Sequence, residues 1–426
     1  MPRFRLRLLA AAAATLALTA CGGTAGPADS ASSAGLTMWA LNDQTILKDS
    51  VDAYNKDHAD AKITLQLYSN ADYQDKLRVA FGAGQAPDIF FNWGGGALGD
   101  YVKAGKTDPI AASDVDTSRF TPSVMKAATI DGKVYGIPCN GLAPVVLYYN
   151  KPVLEAAGIK PPTTYAELMD AVAKLKGKGI TPLSLAAGSK WPTLMYLEYL
   201  LDRVGGSGVF DKIKAGDANG WTDPAVTKAN QTLQDMVKAG AFGDNASSVI
   251  YDQGASTALL YTGKAAMELM GTWEYANIAK AAPDFISSGK LGYITFPDVG
   301  GGAGDPSDIA GNLSNFLSLN AASKNKAAAL TYLKNYVLND AQVDAYLQGG
   351  SVPPVNGLDT KLAAVTGADK AWLEFVYGLV QKSAGFQLSW DQDLPSGQGD
   401  ALNTNVDSSF LLKITPEQFG QNMSKL

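Results

Sequence analysis

The sequence predicts an α/β protein of two lobes, each with a mainly parallel sheet flanked by helices, and a helix-rich C-terminal part. Short apolar runs alternate with longer stretches of helical periodicity, which is typical of sheets covered by helices. The 426 residues are enough for two or three lobes. A composition of 46% hydrophobic and 18% charged residues indicates a globular chain rather than a disordered one.

The first cluster of elements is predicted to be a βαβαβ unit that ends near Asn140. Alternation of apolar and polar residues at a period of two, or a short apolar run, marks its strands. In chain order we predict the strand Leu36–Leu41, the helix Thr45–Lys56, a strand through Ile63, Leu65 and Leu67, the helix Asp72–Ala83 and the strand Ile89–Asn92.

The second cluster begins at about Val145. Thr164 and Glu167 fit a capping box that opens a helix, and Asp223 before a proline fits an N-cap. Predicted strands are Val145–Tyr149, Ile180–Ala186, Ala266–Met270, Gly292–Phe296 and Phe316–Leu319. From Asn325 onward the pattern is nearly all helical.

Proline and glycine residues interrupt the segment Gly132–Tyr149, which is typical of a crossing between lobes. Segments after Phe296 could return to the first lobe. We therefore assign residues 36–140 plus about 297–340 to the first lobe. Residues 141–296 plus about 341–426 are assigned to the second.

The N-terminus has the layout of a secretory signal peptide. Three arginines precede an apolar run from Leu8 to Leu18 that is too short to span a bilayer. Residues 18–21, Leu-Thr-Ala-Cys, resemble the lipobox of bacterial lipoproteins, in which the cysteine is lipidated. We expect a signal peptide at 1–20, a lipid anchor on Cys21, a flexible Gly/Ala/Ser tether at 21–35, and a location on the outer face of the cell membrane.

Charge and composition exclude several function classes. The net charge is −6, and removal of the three arginines with residues 1–20 makes it −9. Nucleic acid is therefore an unsuitable partner. The single histidine, His58, rules out a multi-histidine metal site, and Cys139 as the one cysteine after Cys21 rules out an internal disulfide. Gly94–Gly96 lacks the Lys-Ser/Thr of a phosphate loop. No cofactor or metal is expected.

Tryptophans beside amide or acidic residues recur at predicted element ends. Aromatic faces can stack on the apolar face of a sugar ring, and amides or carboxylates can bond its hydroxyl groups. Strand ends are where ligands bind in α/β sheets. The candidate ligand-binding residues are Trp39, Asn42, Asn92, Trp93, Trp191, Trp273, Glu274, Trp390, Asp391 and Gln392. Trp221 and Trp372 are assigned to packing.

Two alternatives stay open on these residues. Glu274 and Asp391, each next to a tryptophan, could be the acid pair of a secreted glycoside hydrolase, although an acid in the first turn of a helix also has a structural role. Capture of an amino acid or peptide would favour a site arginine or aspartate. Arg78 and Arg203 fall within helical patterns and are expected at the surface.

Three segments resemble bacterial extracellular solute-binding protein family 1, the maltose-binding-protein-like sugar receptors of ABC importers. They are Ala-Pro-Asp-Ile-Phe-Phe-Asn-Trp-Gly-Gly at 86–95, Asp-Gly-Lys-Val-Tyr-Gly-Ile-Pro at 131–138 with Leu-Tyr-Tyr-Asn-Lys at 147–151, and Gly-Lys-Ala-Ala-Met-Glu-Leu-Met-Gly-Thr-Trp at 263–273. Residues 335–354 are similar to the helical segment before the family's Val-Pro motif.

The resemblance implies a two-lobe, type II periplasmic-binding-protein fold without enzymatic activity. It implies an oligosaccharide ligand in the interlobe cleft, and delivery to a membrane permease with a cytoplasmic ATPase. The chain is most similar to actinobacterial binders of xylobiose or chitobiose, which implies a short β-linked di- or trisaccharide. We also expect a monomer that contacts the membrane only through its lipid. In the cleft, we expect Trp273 and Trp390 to stack on successive sugar units.

Overall fold

The computed structural model describes residues 35–217 and 219–426. The predicted signal peptide, the lipidated Cys21 and the tether up to residue 34 therefore lie outside the described residues. Among those described, no helix combines the length and apolar character needed to cross a membrane.

Strands and helices alternate over most of the described chain. The strands are β1 Leu36–Leu41, β2 Ile63–Tyr68, β3 Ile89–Asn92, β4 Thr107–Asp108, β5 Thr129–Ile130, β6 Lys133–Val134, β7 Ile137–Pro138, β8 Ala143–Asn150, β9 Thr181–Ser184, β10 Ala265–Gly271, β11 Leu291–Ile294, β12 Ile309–Asn312, β13 Phe316–Asn320 and β14 Phe386–Leu388. The α-helices are α1 Thr45–Asp57, α2 Asn70–Ala83, α3 Gly95–Lys103, α4 Pro122–Lys126, α5 Lys151–Ala157, α6 Tyr165–Gly177, α7 Trp191–Gly205, α8 Ser207–Lys214, α9 Pro224–Ala239, α10 Ala255–Tyr261, α11 Glu274–Ala281, α12 Pro283–Ser287, α13 Lys326–Asn335, α14 Asp340–Gln348, α15 Asp359–Ala364, α16 Asp369–Lys382, α17 Trp390–Asp393, α18 Ser396–Phe410 and α19 Pro416–Met423.

These elements form two sheets, each with its own helices. The first sheet has the strand order β2-β1-β3-β13-β4, with β7 beside β13. The second has the order β14-β12-β8-β10-β9, with β11 beside β8. Strands β5 and β6 form a small separate hairpin. We call the two sheets with their packed helices the first and second lobes.

Both sheets are mixed rather than mainly parallel. In the first, β1 pairs in parallel with β2 and β3, but β13 runs antiparallel to its neighbours. In the second, β8 runs antiparallel to β10, β11 and β12. Strands β8 and β13 each enter their sheet from the other lobe. A strand that starts where the lobes meet must run opposite to strands that end there.

The lobe boundaries lie later in the chain than predicted. Ile309–Asn312 pairs with the second sheet, so the return to the first lobe comes at Phe316–Asn320 rather than near residue 297. Helix α14 packs on α1 of the first lobe, and Thr121 bonds the carbonyl of Pro354. The first lobe therefore extends to about residue 356. Strand β14 lies in the part that was predicted to be nearly all helical.

Most other elements were predicted correctly from patterns of neighbouring residues. Strands β1 and β3 have the predicted bounds. The Thr164–Glu167 capping box forms, and Asp223 accepts a hydrogen bond from the amide of Ala225 at the start of α9. Trp221 and Trp372 are buried as predicted. Trp191, which was predicted in a loop, is instead the first residue of α7.

Arg203 contradicts its prediction as a surface residue. Its guanidinium is fully buried in the second lobe and lies 2.5 Å from the Asp202 carboxylate. It also donates to the carbonyl oxygens of Asp305, Pro306 and Asp308 in the loop before β12. A helical pattern cannot show such a role, because these carbonyl groups lie about a hundred residues later in the chain.

Candidate ligand-binding cleft

A cavity of about 950 Å³ lies between the two lobes. Its wall in the first lobe includes Asn42 after β1 and Trp93 after β3. Its wall in the second lobe includes Trp191, Trp273 and residues at the start of α17. The ends of β1, β3 and β10 thus point towards one shared space, as expected for ligand sites in α/β sheets. The volume lies at the upper end of the range for small-molecule pockets, roughly 300–1,000 Å³.

Most, but not all, of the predicted site residues meet at this cavity. The residues that line it are Asn42, Trp93, Trp191, Trp273, Glu274, Asp391 and Gln392. Trp39, Asn92 and Trp390 are absent from the lining. The sequence therefore predicted which parts of the chain meet at the cavity, but it did not predict the direction of every side chain there.

The three residues outside the lining have structural roles. Trp39 packs against Tyr68, with ring centroids 4.8 Å apart. The Asn92 amide donates to Ser318 Oγ at 2.8 Å and accepts from the Gly94 amide, so it shapes the turn after β3. Trp390 is 1% exposed and stacks on Phe210. The prediction that Trp390 stacks on a sugar unit is wrong, because its faces are already covered.

The sequential neighbours of Trp390 do reach the cavity. Successive residues of a helix point about 100° apart, so at the start of α17 Trp390 points into the core while Asp391 and Gln392 face the cleft. Asn403 Nδ2 donates to Asp391 Oδ2 at 3.0 Å. Burial raises the pKa of Asp391.

Three aromatic rings pack together in the second-lobe wall of the cavity, which Tyr261 also lines. The rings of Trp191 and Tyr251 meet edge to face with centroids 4.8 Å apart, and Trp191 lies 6.2 Å from Trp273. The Trp273 ring occupies the space above Gly271, where a Cβ atom would lie 2.0 Å from the ring. Tyr251 was not predicted, because the prediction rested on tryptophans at strand ends and Tyr251 lies in a short helical turn between elements.

Hydrogen bonds fix the polar edge of this wall. Tyr251 OH accepts from Trp273 Nε1 and donates to Glu274 Oε2, both at 2.7 Å. Thr257 Oγ1 donates to Glu274 Oε1 at 2.5 Å, and Asn277 Nδ2 donates to Glu274 Oε2 at 3.2 Å. Burial raises the pKa of Glu274. The carboxyl group is thus held rigidly beside the aromatic rings.

The uncharged part of the wall is rich in hydrogen-bond acceptors. Four buried amide oxygens on cavity-lining residues have no donor within the described part of the chain. They belong to Asn312, Asn315, Gln392 and Asn403. A buried acceptor without a partner is unfavourable, so this wall favours a ligand that donates many hydrogen bonds.

Glycines bring the two lobes close beside the cavity. A Cβ on Gly95 would lie 2.7 Å from the Gln392 carbonyl oxygen, and one on Gly96 would lie 2.5 Å from that of Asp393. The glycine run after β3 therefore lets α3 pack directly against α17. At the cleft, the Ala71 amide donates to Asp252 at 3.3 Å. Within the described residues, no group of three or more His, Cys, Asp or Glu is arranged to hold a metal ion.

Glu198 holds the start of α17 from the core side, outside the cavity lining. It is fully buried on α7, and its Oε1 accepts from the Ser389 hydroxyl and the Trp390 amide, both at 2.8 Å. These bonds hold the residues just before Asp391 and Gln392. Burial raises the pKa of Glu198 to about 8, so its carboxyl keeps a proton at neutral pH.

We expect the variant Glu198→Gln to remove part of the pH dependence of stability. A carboxyl whose pKa is raised in the folded state favours folding below its unfolded pKa, and this contribution is lost as the pH rises towards 8. The loss amounts to at most about 1.4 kcal/mol per pH unit. Glutamine keeps the acceptor and does not titrate.

Urea unfolding at pH 5 and pH 8 measures this difference, with the exposed Glu155→Gln as the matched control. The stability of Glu198→Gln relative to wild type should increase from pH 5 to pH 8, whereas that of Glu155→Gln should not. Parallel stability curves for Glu198→Gln and the wild type would show that Glu198 does not titrate in this range.

The fold and the interlobe cleft define a class of bacterial binding protein. Residues 39–343 match the family model of the bacterial extracellular solute-binding proteins. The chain therefore belongs to this family, as its sequence motifs indicated.

Solved structures show the same two-lobe fold, so the predicted fold class is confirmed. A structure from work on xylan utilization by the thermophilic bacterium Caldanaerobius polysaccharolyticus is 30% identical with a TM-score of 0.81. It covers 92% of this chain and 99% of that one. A chitin oligosaccharide binding protein is 24% identical with a TM-score of 0.79, over 92% and 97% of the two chains, which shows the likeness of fold.

Curated relatives align over part of their length. An ABC transporter extracellular-binding protein of Pyrococcus horikoshii is 33% identical over 45% of this chain and 43% of its own. A galactooligosaccharide-binding protein of Bacillus subtilis is 27% identical over 64% of each chain. The chain thus spans 43% to 64% of the length of these relatives.

Proposed function

We propose that this protein captures a short oligosaccharide, a β-linked di- or trisaccharide, in the interlobe cleft and delivers it to an ABC permease powered by a cytoplasmic ATPase. One observation supports the proposal: a cavity between two lobes is lined by tryptophans and carboxyl groups and by four amide oxygens that lack a donor in the described part of the chain. Sugar rings offer both an apolar face and hydroxyl donors.

Closure of the two lobes on the ligand is the proposed signal to the permease. Trp93 belongs to the first lobe, and Trp191 and Trp273 belong to the second. A ligand that touches both walls stabilises the closed state, because it makes more contacts there than in an open one. The preference for a β-linked chain is supported by the likeness to the protein from work on xylan utilization.

Isothermal titration against xylobiose, xylotriose, cellobiose and N,N′-diacetylchitobiose tests the proposal. We expect saturable binding of at least one sugar and a change in tryptophan fluorescence. An assay for reducing sugar over several hours addresses the hydrolase alternative, because Glu274 and Asp391 line the same cavity. No release is expected from a member of a solute-binding family. Absence of binding to all four sugars would contradict the proposal.

Attachment to the membrane through lipidated Cys21, as a monomer, is the second part of the proposed function. The lipobox-like residues 18–21 support it. We expect Cys21→Ala to release the protein into the medium, because acyl chains provide the anchoring. Fractionation of cells that express either form measures the effect, and Cys139→Ala is the matched control. A Cys21→Ala protein that stays with the membrane fraction would contradict this mode of anchoring.

A further inference from the structure

Carboxyl groups outnumber cations on the cavity wall. Two basic residues, Arg78 and Lys190, line the cavity in the described part of the chain. Arg78 already forms ion pairs with two of the acidic residues. The acidic lining residues are Asp43, Asp75, Asp252, Glu274, Asp391 and Asp400. A bound molecule therefore meets an excess of acidic groups.

Three of these carboxyl groups line the cavity from opposite lobes. Asp43 follows β1 in the first lobe, whereas Asp252 precedes α10 and Glu274 begins α11 in the second. Burial, and to a smaller extent repulsion by Asp252, raises the pKa of Asp43. Burial, and to a smaller extent Asp43, raises the pKa of Glu274. Asp252 also accepts from the Ala71 amide of the first lobe at 3.3 Å, so acids of the two walls meet at the cavity.

The amide side chains beside these acids also favour a ligand that donates hydrogen bonds. Gln392 is 8% exposed, and its buried Oε1 has no donor in the described residues. The orientation of Asn403 is fixed, because its Nδ2 donates to Asp391 and leaves its oxygen unpaired. A carboxylate or phosphate on a ligand has lone pairs but no proton to donate. It satisfies neither these amides nor the acids.

We propose that Asp43, Asp252 and Glu274 form a charge filter, through which the cleft admits neutral or amine-bearing oligosaccharides and rejects those that carry a carboxylate or phosphate. The filter rests on the proposed function, and it narrows the class of ligand. Hydroxyl and ammonium groups donate to the wall, whereas an acidic group brings like charges together, which is costly where water is displaced. Lys190 opposes the filter, because its positive charge attracts an acidic ligand. Among the described lining residues, it is the one cation that has no carboxylate partner.

Matched sugars that differ in charge test the filter by isothermal titration. One set is xylotriose and the same chain bearing a glucuronic acid branch. A second set is cellobiose and cellobiouronic acid. A third set is N,N′-diacetylchitobiose and its deacetylated diamine. Within each of the first two sets, where the neutral sugar binds, we expect the acidic member to bind on the order of 100-fold more weakly than the neutral one. The diamine is expected to bind at least as tightly as its neutral partner.

The double variant Asp43→Asn/Asp252→Asn identifies the residues responsible. It should reduce the acidic-to-neutral discrimination to about tenfold. The exposed pair Asp60→Asn/Asp244→Asn changes the net charge by the same amount away from the cleft and should leave the ratio unchanged. An acidic sugar that binds as tightly as its neutral partner, or a ratio that the double variant does not alter, overturns the filter alone. Failure of every neutral and amine-bearing sugar to bind removes the proposed function as well.

Discussion

Replacement of Trp273 by alanine is expected to weaken sugar binding by about 2–4 kcal/mol, roughly 30- to 1,000-fold. The ring packs near Trp191 in the second-lobe wall, and it occupies the space above Gly271. Its indole also donates to Tyr251 OH, which in turn donates to Glu274. Truncation therefore removes a stacking face and also the donor that orients the Tyr251 hydroxyl towards Glu274. Isothermal titration with the best-binding sugar measures the loss.

Two further variants separate these contributions. Trp273→Phe retains an aromatic face but lacks the indole donor, and it should lie between the wild type and Trp273→Ala in affinity. Trp39→Ala removes a tryptophan that packs on Tyr68 outside the cavity lining. It should change the affinity less than threefold. Unchanged affinity in Trp273→Ala would remove this residue from the site, and equal losses in Trp273→Ala and Trp39→Ala would indicate a general loss of folding.

The variant Arg203→Met should destabilise the fold by about 3–5 kcal/mol, because it leaves a buried carboxylate without its counterion. Asp202 would lose the guanidinium 2.5 Å away, and three carbonyl groups in the loop before β12 would lose their donor. Methionine fills a similar volume, so the effect reports mainly the lost polar contacts. Urea unfolding at pH 7 measures it.

Arg78→Met is the matched control. The Arg78 side chain is 55% exposed, and its ion pairs with Asp75 and Asp400 lie at the surface. Such pairs contribute about 1 kcal/mol or less. The double variant Asp202→Asn/Arg203→Met should recover part of the stability, since it no longer buries an unpaired charge. An Arg203→Met protein as stable as Arg78→Met would contradict this account of the buried pair.

Local chemistry explains why much of the fold could be predicted. A four-residue apolar run defined β3, and alternation and apolar content defined β1. The Thr164 capping box depends on residues three apart in sequence. The family motifs also lie within short stretches of chain, which is why membership could be inferred before the lobes were described. All of these signals are contained in neighbouring residues.

The direction of individual side chains could not be predicted in the same way. Trp390 and Asp391 are adjacent, yet Phe210 covers the first and the cleft contains the second. Arg203 is buried by a loop about a hundred residues away. In each case the deciding contact comes from a distant part of the chain, which periodicity does not record.

By itself the sequence determined the α/β class, most strands and helices, the family and seven of the residues that line the interlobe cavity. The tertiary structure alone decided that β8 and β13 run against their neighbours, that Tyr251 joins the aromatic wall and that Trp39, Asn92 and Trp390 do not. Backbone conformation follows from nearby residues, because its hydrogen bonds and propensities are local. The environment of a side chain is set by whichever elements the whole chain packs around it.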